Sequence, residues 1–218
     1  MNSTFSIYFA GELFSLKHLL GNALLAEQIH TQSKGLYSCF VPQDLEQRDT
    51  SAISIRDQDL LHVIKSDLGI FHFDGPELDS GTVVEYMVAK MLDIPSVLIR
   101  TDFRKAGDSD GDPWNLMCVG YPRTKVIVID GMALYQKITS QCSGSKYDGA
   151  VEASSVIAIQ LIEALDEVRN KPSIFSGSEI EAVYQWARKF PGTTLENLLT
   201  DDLLEEIVRA KRSKGLIA

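Results

Sequence analysis

Residues 71–92 read FHFDGPELDSGTVVEYMVAKML. The stretch leaves an apolar run, crosses an acidic turn containing Gly75 and Pro76, and becomes helical from about residue 81 to 92. Glu85 is the one carboxylate in that helix. Its neighbours Val83, Val84, Tyr86, Met87, Val88 and Ala89 leave no charged face beside it. Burying an unpaired carboxylate costs on the order of several kcal/mol. Two readings follow, an ion pair to a basic residue in the core or a chemical role. Asp79 lies six residues earlier and Asp74 closes the preceding strand. A carboxylate or hydroxyl just ahead of a helix commonly caps it, and Ser80 is assigned that part.

Outward from this stretch, short β-branched and aromatic runs alternate with helical spacing. Strands are expected at residues 5–10, 36–41, 68–73, 94–99 and 125–129, and helices at 15–32, 53–66 and 81–92. That alternation specifies an α/β domain: a doubly wound, flavodoxin- or Rossmann-like, five-stranded parallel sheet with helices on both faces. Ligands of such sheets bind beyond the carboxyl ends of the strands, where the acidic turn lies. Beyond Asp130 the chain changes character. Helices are expected at 151–168, 178–190 and 194–212, with caps at Ser178 and Thr194. The domain reading is an α/β unit over 1–171 and a C-terminal helical appendage over 172–218.

Composition narrows the function. Of 218 residues 44% are hydrophobic and 23% charged, as in globular domains. A formal charge of −9 without a basic block argues against a nucleic-acid polymer as partner. No apolar run approaches the roughly 20 residues that span a bilayer, and the amino terminus lacks a basic signal-peptide region. Cys39, Cys118 and Cys142 are widely separated, which suits reduced thiols in a cytoplasmic protein, with Cys39 and Cys118 as small core residues. Glycine-rich dinucleotide and triphosphate loops are missing, as are zinc-protease and nucleophile-elbow motifs. Asp108, Asp110 and Asp112 alternate like a calcium loop, but Pro113 stands where that loop needs glycine, so an acidic surface loop is expected and no metal.

Several separated segments together carry a resemblance. Tyr8-Phe9-Ala10-Gly11, Gln43 after the second strand, Asp59, Asp67, the run from Asp79 through Ser80, Gly81, Thr82, Val83 and Val84 to Glu85, and Asn115-Leu116-Met117 occur in order over about residues 5–130. The set resembles the nucleoside 2-deoxyribosyltransferase family. The resemblance implies that Glu85 attacks the anomeric carbon of a 2'-deoxyribonucleoside, that Tyr8 holds its carboxylate, and that Asp59 manages the proton on the base. It also implies that Gln43 orients the base and Asp79 binds a sugar hydroxyl. Gly11 and Phe14, on the loop after the first strand, join the substrate-binding candidates. Asn115 and Met117 would complete a neighbouring subunit's site, so a homo-oligomer is implied, dimer-based, with tetramer and hexamer as the larger forms. Substrates would be nucleosides and free nucleobases, with no cofactor. An aspartate at 79 would repel a phosphate dianion, which favours free nucleosides over 5'-phosphates. One departure is Glu12 where the family often has proline, a negative charge expected near the mouth. The rival readings are an N-glycoside hydrolase acting on deoxynucleosides or their 5'-phosphates and a non-catalytic nucleoside- or nucleotide-sensing module.

Overall fold

A computed structural model describes residues 4–45, 51–104 and 113–218. The chain runs through β1 (Phe5–Ala10), α1 (Leu16–Gln32), β2 (Tyr37–Phe40), a 3-10 turn (Pro42–Asp44), α2 (Ala52–Lys65), β3 (Leu68–His72), α3 (Ser80–Met91) and β4 (Ser96–Arg100). A second 3-10 turn (Leu116–Cys118), β5 (Thr124–Val128), α4 (Gly131–Gln141) and α5 (Lys146–Arg169) follow, then α6 (Gly177–Lys189), α7 (Leu195–Leu198) and α8 (Asp201–Ser213). The five strands form one parallel sheet in the order β2-β1-β3-β4-β5, the doubly wound α/β arrangement.

Alternation along the strands builds two cores. Phe5, Ile7 and Phe9 of β1, with Ile70 and Val97, pack with Leu25 and Ile29 of α1 and Leu161 and Leu165 of α5. Tyr8, Ala10, Phe71 and Leu98 point the other way, toward α2 and α3. Residues 172–218 supply that second core as well. Ile180, Tyr184, Leu195, Leu199, Leu204 and Ile217 share it with Leu60, Ile64 and Tyr86. Burial of this kind, at about 1.5–3 kcal/mol per large apolar side chain, makes the C-terminal helices part of one face of the sheet. Polar ties reinforce them. Arg123 binds Asp93 and donates to the Leu216 carbonyl, while Lys214 pairs with Asp67 at 2.6 Å.

Three local expectations differ from what is found. The α3 cap is Asp79 and not Ser80, because the Asp79 carboxylate accepts from both Thr82 N and Thr82 Oγ1 at 2.8 Å. The α6 capping box is Ser176 with Glu179, two residues before the expected pair. The single helix expected over 194–212 is two, α7 and α8, because Thr200 caps α8 through Leu203 N. Helix α4, capped by Asp130, was absent from the sequence pattern, and α5 starts at Lys146 through a Ser145–Asp148 capping box. Cys39 and Cys118 are free thiols, part-buried and buried. Among the described residues no helix is long and apolar enough to cross a membrane, and no three His, Cys, Asp or Glu side chains group as for a metal. The Asp108, Asp110 and Asp112 alternation lies outside the described residues.

Candidate active site

A cavity of about 630 Å3 opens where the carboxyl ends of β1, β2 and β3 meet α2 and α3. That volume suits a ligand of small-molecule size. The strand order reverses between β1 and β3, and a crevice belongs there for topological reasons. Its walls are Gly11, Leu13 and Phe14 after β1, Pro42 and Leu45 after β2, Ser54, Ile55, Gln58 and Asp59 of α2, and residues 79–82 with Glu85 around the start of α3.

Glu85 reaches the cavity from the second turn of α3, and Tyr8 meets it from the middle of the sheet. The Tyr8 hydroxyl donates to Glu85 Oε1 at 2.5 Å. The Tyr8 ring is buried and stacks near Phe40, with centroids 6.0 Å apart, so its hydroxyl is held in place. Among the described residues Glu85 makes no ion pair. Burial pushes the Glu85 carboxyl up to about 8; the Tyr8 hydrogen bond pulls it down, and the charges of Asp59 and Asp79 push it up further. Burial, and then the charges of Glu85 and Asp59, hold the Tyr8 phenol well above its ordinary range, so it stays a donor. The cavity thus contains a desolvated carboxyl that ionises near neutral pH, a fixed hydroxyl on it, and two further carboxyl groups.

Each backbone position has a local cause. Asp79 caps α3, which fixes the first turn and sets Glu85 one and a half turns along. Gly11 permits the chain after β1 to pass His72 closely, because a Cβ there would come within 3.1 Å of the His72 Cβ. Phe14 is 76% exposed and forms the outer lip.

The structure brings together Tyr8, Gly11, Phe14, Asp59, Asp79 and Glu85. Gln43 is elsewhere. Its amide donates to the Leu19 carbonyl at 2.9 Å and accepts from Asn22, which turns it onto α1 while Pro42 and Leu45 face the cavity. Asn115 and Met117 lie on the surface away from the lining, with Asn115 Oδ1 accepting from Met117 N at 2.9 Å. Glu12 is not at this mouth either. It pairs with His18 at 3.2 Å and lines a separate cavity of about 660 Å3 toward α1 and α4. The carboxylates of that second cavity are satisfied: Asp74 accepts from Thr101 and His72, and Asp102 from Arg104 and Gly75 N. Sequence reading missed Ile55 and Gln58; Ile55, four residues before Asp59, lies on its side of α2, and Gln58, three residues after Ile55, borders that stripe.

Comparison with known proteins gives the same direction. The family model for nucleoside 2-deoxyribosyltransferase matches residues 7–117, just over half the chain. A conserved protein from Enterococcus faecalis V583 is 29% identical, covering 64% of this chain and 100% of its own, with a TM-score of 0.49. A 2-deoxyribosyltransferase from Bacillus psychrosaccharolyticus is 22% identical over 52% of this chain and 79% of its own, TM-score 0.41. A 2-desoxiribosyltransferase from Leishmania mexicana is 21% identical over 63% and 98%, TM-score 0.44. Comparison with curated proteins found no match. The matched segment holds Tyr8, Asp59, Asp79 and Glu85 together, and on that evidence the chain belongs to the nucleoside 2-deoxyribosyltransferase family.

Proposed function

We propose that the protein exchanges bases on 2'-deoxyribonucleosides by two displacements through a deoxyribosyl ester on Glu85. The observation that supports this most is the Tyr8–Glu85 hydrogen bond at the cavity wall, where no cation among the described residues pairs with the carboxyl. In the first displacement a Glu85 oxygen forms a bond to the anomeric carbon as the bond to the base nitrogen breaks. The electron pair leaves with the base, and Asp59 supplies the proton that makes it a good leaving group. Positive charge builds on the sugar in that transition state, and a carboxylate beneath it stabilises it. A nitrogen of a second base then attacks the same anomeric carbon, the bond from that carbon to the Glu85 oxygen breaks and releases the carboxylate, and the incoming base gives its proton to Asp59. Two inversions give net retention. No metal or cofactor enters the balance.

Asp79 contributes twice in this reading, as the α3 cap and as a partner for a sugar hydroxyl. Leu13, Phe14, Pro42, Leu45 and Ile55 offer apolar walls for a base. Asn115 and Met117, on an exposed turn, would enter the site of a second subunit in a dimer-based oligomer. The test is deoxyinosine incubated with and without free adenine. Deoxyadenosine formation supports transfer, whereas hypoxanthine release that ignores adenine makes the protein a hydrolase. No turnover of any nucleoside would leave a sensing module.

A further inference from the structure

The buried aspartate on α2 that the reaction does not use is Asp57. It is fully buried, and both its oxygens are occupied. Asp57 Oδ2 accepts from Thr193 Oγ1 at 2.6 Å and from Thr194 Oγ1 at 2.7 Å. Asp57 Oδ1 accepts from Arg56 Nη2 at 2.8 Å, and the same nitrogen donates to Thr193 Oγ1 at 2.8 Å. Asp57, Thr193 and Arg56 close a ring, with Thr194 as a further donor to Asp57, between α2 and the start of α7, which the family match does not reach. Below the ring, Leu195 and Leu199 are buried in the cluster that holds Leu60, Leu61 and Ile64.

Asp59 lies on the same helix, two residues on and therefore roughly 200° around the axis from Asp57. One side of α2 is bolted to the C-terminal helices while the other presents Ile55, Gln58 and Asp59 to the cavity. A helix fixed by apolar contacts alone can roll, since such contacts are non-directional. Hydrogen bonds to a buried carboxylate have defined directions and are strong. From this ring we infer that Thr193 and Thr194 are positioning residues for catalysis: through Asp57 they set the rotation of α2 and hence the place of the Asp59 carboxyl. The C-terminal helices, which do not line the cavity, would then support the site from behind α2. The inference rests on the base-protonating role of Asp59 proposed above.

The test uses the full-length chain and two donors. Deoxyinosine needs its base protonated; 4-nitrophenyl 2-deoxyriboside has a leaving group that departs without a proton. In Thr193→Val/Thr194→Val, kcat/KM for deoxyinosine should fall about 10- to 100-fold, the scale expected for a catalytic group misplaced by about 1 Å. With the nitrophenyl donor the loss should stay below about threefold, because Glu85 is untouched. Thr193→Ser/Thr194→Ser restores both hydroxyls and should behave as wild type. Equal losses on the two donors, or no loss on deoxyinosine, would overturn the inference. Should the double valine variant fold poorly, Thr194→Val alone answers the question. It removes one donor to Asp57, and the Thr194 side chain makes no cap bond to α7. The same donor split, smaller in size, supports the inference, and an even loss sinks it. A wild-type protein inert toward both donors would instead remove the transferase reading itself, which is a separate and visible outcome.

Discussion

Glu85 and Asp93 lie eight residues apart, near the start of helix α3 and just beyond its end, and the fold treats them in opposite ways. Asp93 is 1% exposed and accepts from Arg123 Nη1 at 2.8 Å, Ser173 Oγ at 2.8 Å and Ile174 N at 3.0 Å. Glu85 has the Tyr8 hydroxyl on it and the charges of Asp59 and Asp79 near it. One carboxylate is neutralised and walled in by the C-terminal helices; the other is desolvated and left with like charges at a cavity. The first arrangement stabilises the fold and offers no chemistry. The second opposes folding and leaves a reactive group, which is the pattern of a functional site.

The largest effect expected from breaking this contrast comes from Glu85→Gln. Base exchange should fall at least about a thousandfold, since the amide cannot form the ester. Stability should not fall. The folded carboxyl ionises near 8 and the unfolded one near 4.5, so between those values the folded state binds the extra proton. Wild-type stability should therefore decline as pH rises from about 4.5 to about 8 and then level off, and the glutamine variant should lose that part of the decline. Paired thermal melts across this range read the difference. Unchanged exchange in the variant would falsify the nucleophile assignment. If Glu85 is the nucleophile, kcat/KM of the wild type should climb with pH to about 8, because only the ionised carboxyl attacks.

Arg123→Met attacks the other end of the helix. It leaves Asp93 buried with two neutral donors, and a stability loss of about 3–5 kcal/mol is expected from chemical denaturation. At low temperature the folded fraction should keep its kcat, because Arg123 touches none of the cavity lining. A fall in kcat with unchanged stability would reverse the division drawn here.

Tyr8→Phe is intermediate. It removes a hydrogen bond to a charged group, which corresponds to about a 10- to 100-fold loss in kcat/KM. The loss of that bond also moves Glu85 ionisation upward, so the rising limb of the pH profile should shift to higher pH than in the wild type. A loss with no shift of the limb would separate Tyr8 from Glu85.

The contrast between the two ends was unequally visible in the sequence. All five strands and α1–α3 stood out, since short β-branched runs alternating with 3.6-residue spacing are local patterns. Glu85 was conspicuous because its neighbours on α3 are apolar, and its pairing with Tyr8 followed from family resemblance. What local pattern cannot carry is direction. The family resemblance assigns Gln43 to the base, and its amide turns to the Leu19 carbonyl. Glu12 was expected at the mouth and pairs with His18 on the other side of the sheet. The Asp93–Arg123 and Asp57–Thr193 contacts join residues 30 and 136 positions apart, and no periodicity announces such partners. Helix α4 escaped notice although Leu134, Tyr135 and Ile138 fall at helical spacing, because the run is short and it buries little beyond Ile138.

The smallest effect expected separates the two parts proposed for Asp79. As a cap it accepts from Thr82 N, a task asparagine performs nearly as well, so Asp79→Asn should change stability by only a few tenths of a kcal/mol. Asp79→Ala loses the cap and should cost about 1 kcal/mol in a denaturant titration. If Asp79 also binds a sugar hydroxyl, both substitutions should raise KM for deoxyinosine several-fold, because a charged acceptor binds a hydroxyl more strongly than a neutral one. Asparagine is then the informative change. It keeps the helix start and removes the charge, so a KM that rises in asparagine with stability intact assigns Asp79 to the substrate. A KM that moves only in alanine would mean that Asp79 serves α3 alone and that Glu85 depends on it just for its place. The asparagine variant also removes one of the two charges that raise Glu85, so the rising limb of its pH profile should move slightly downward, opposite in sign to the shift in Tyr8→Phe.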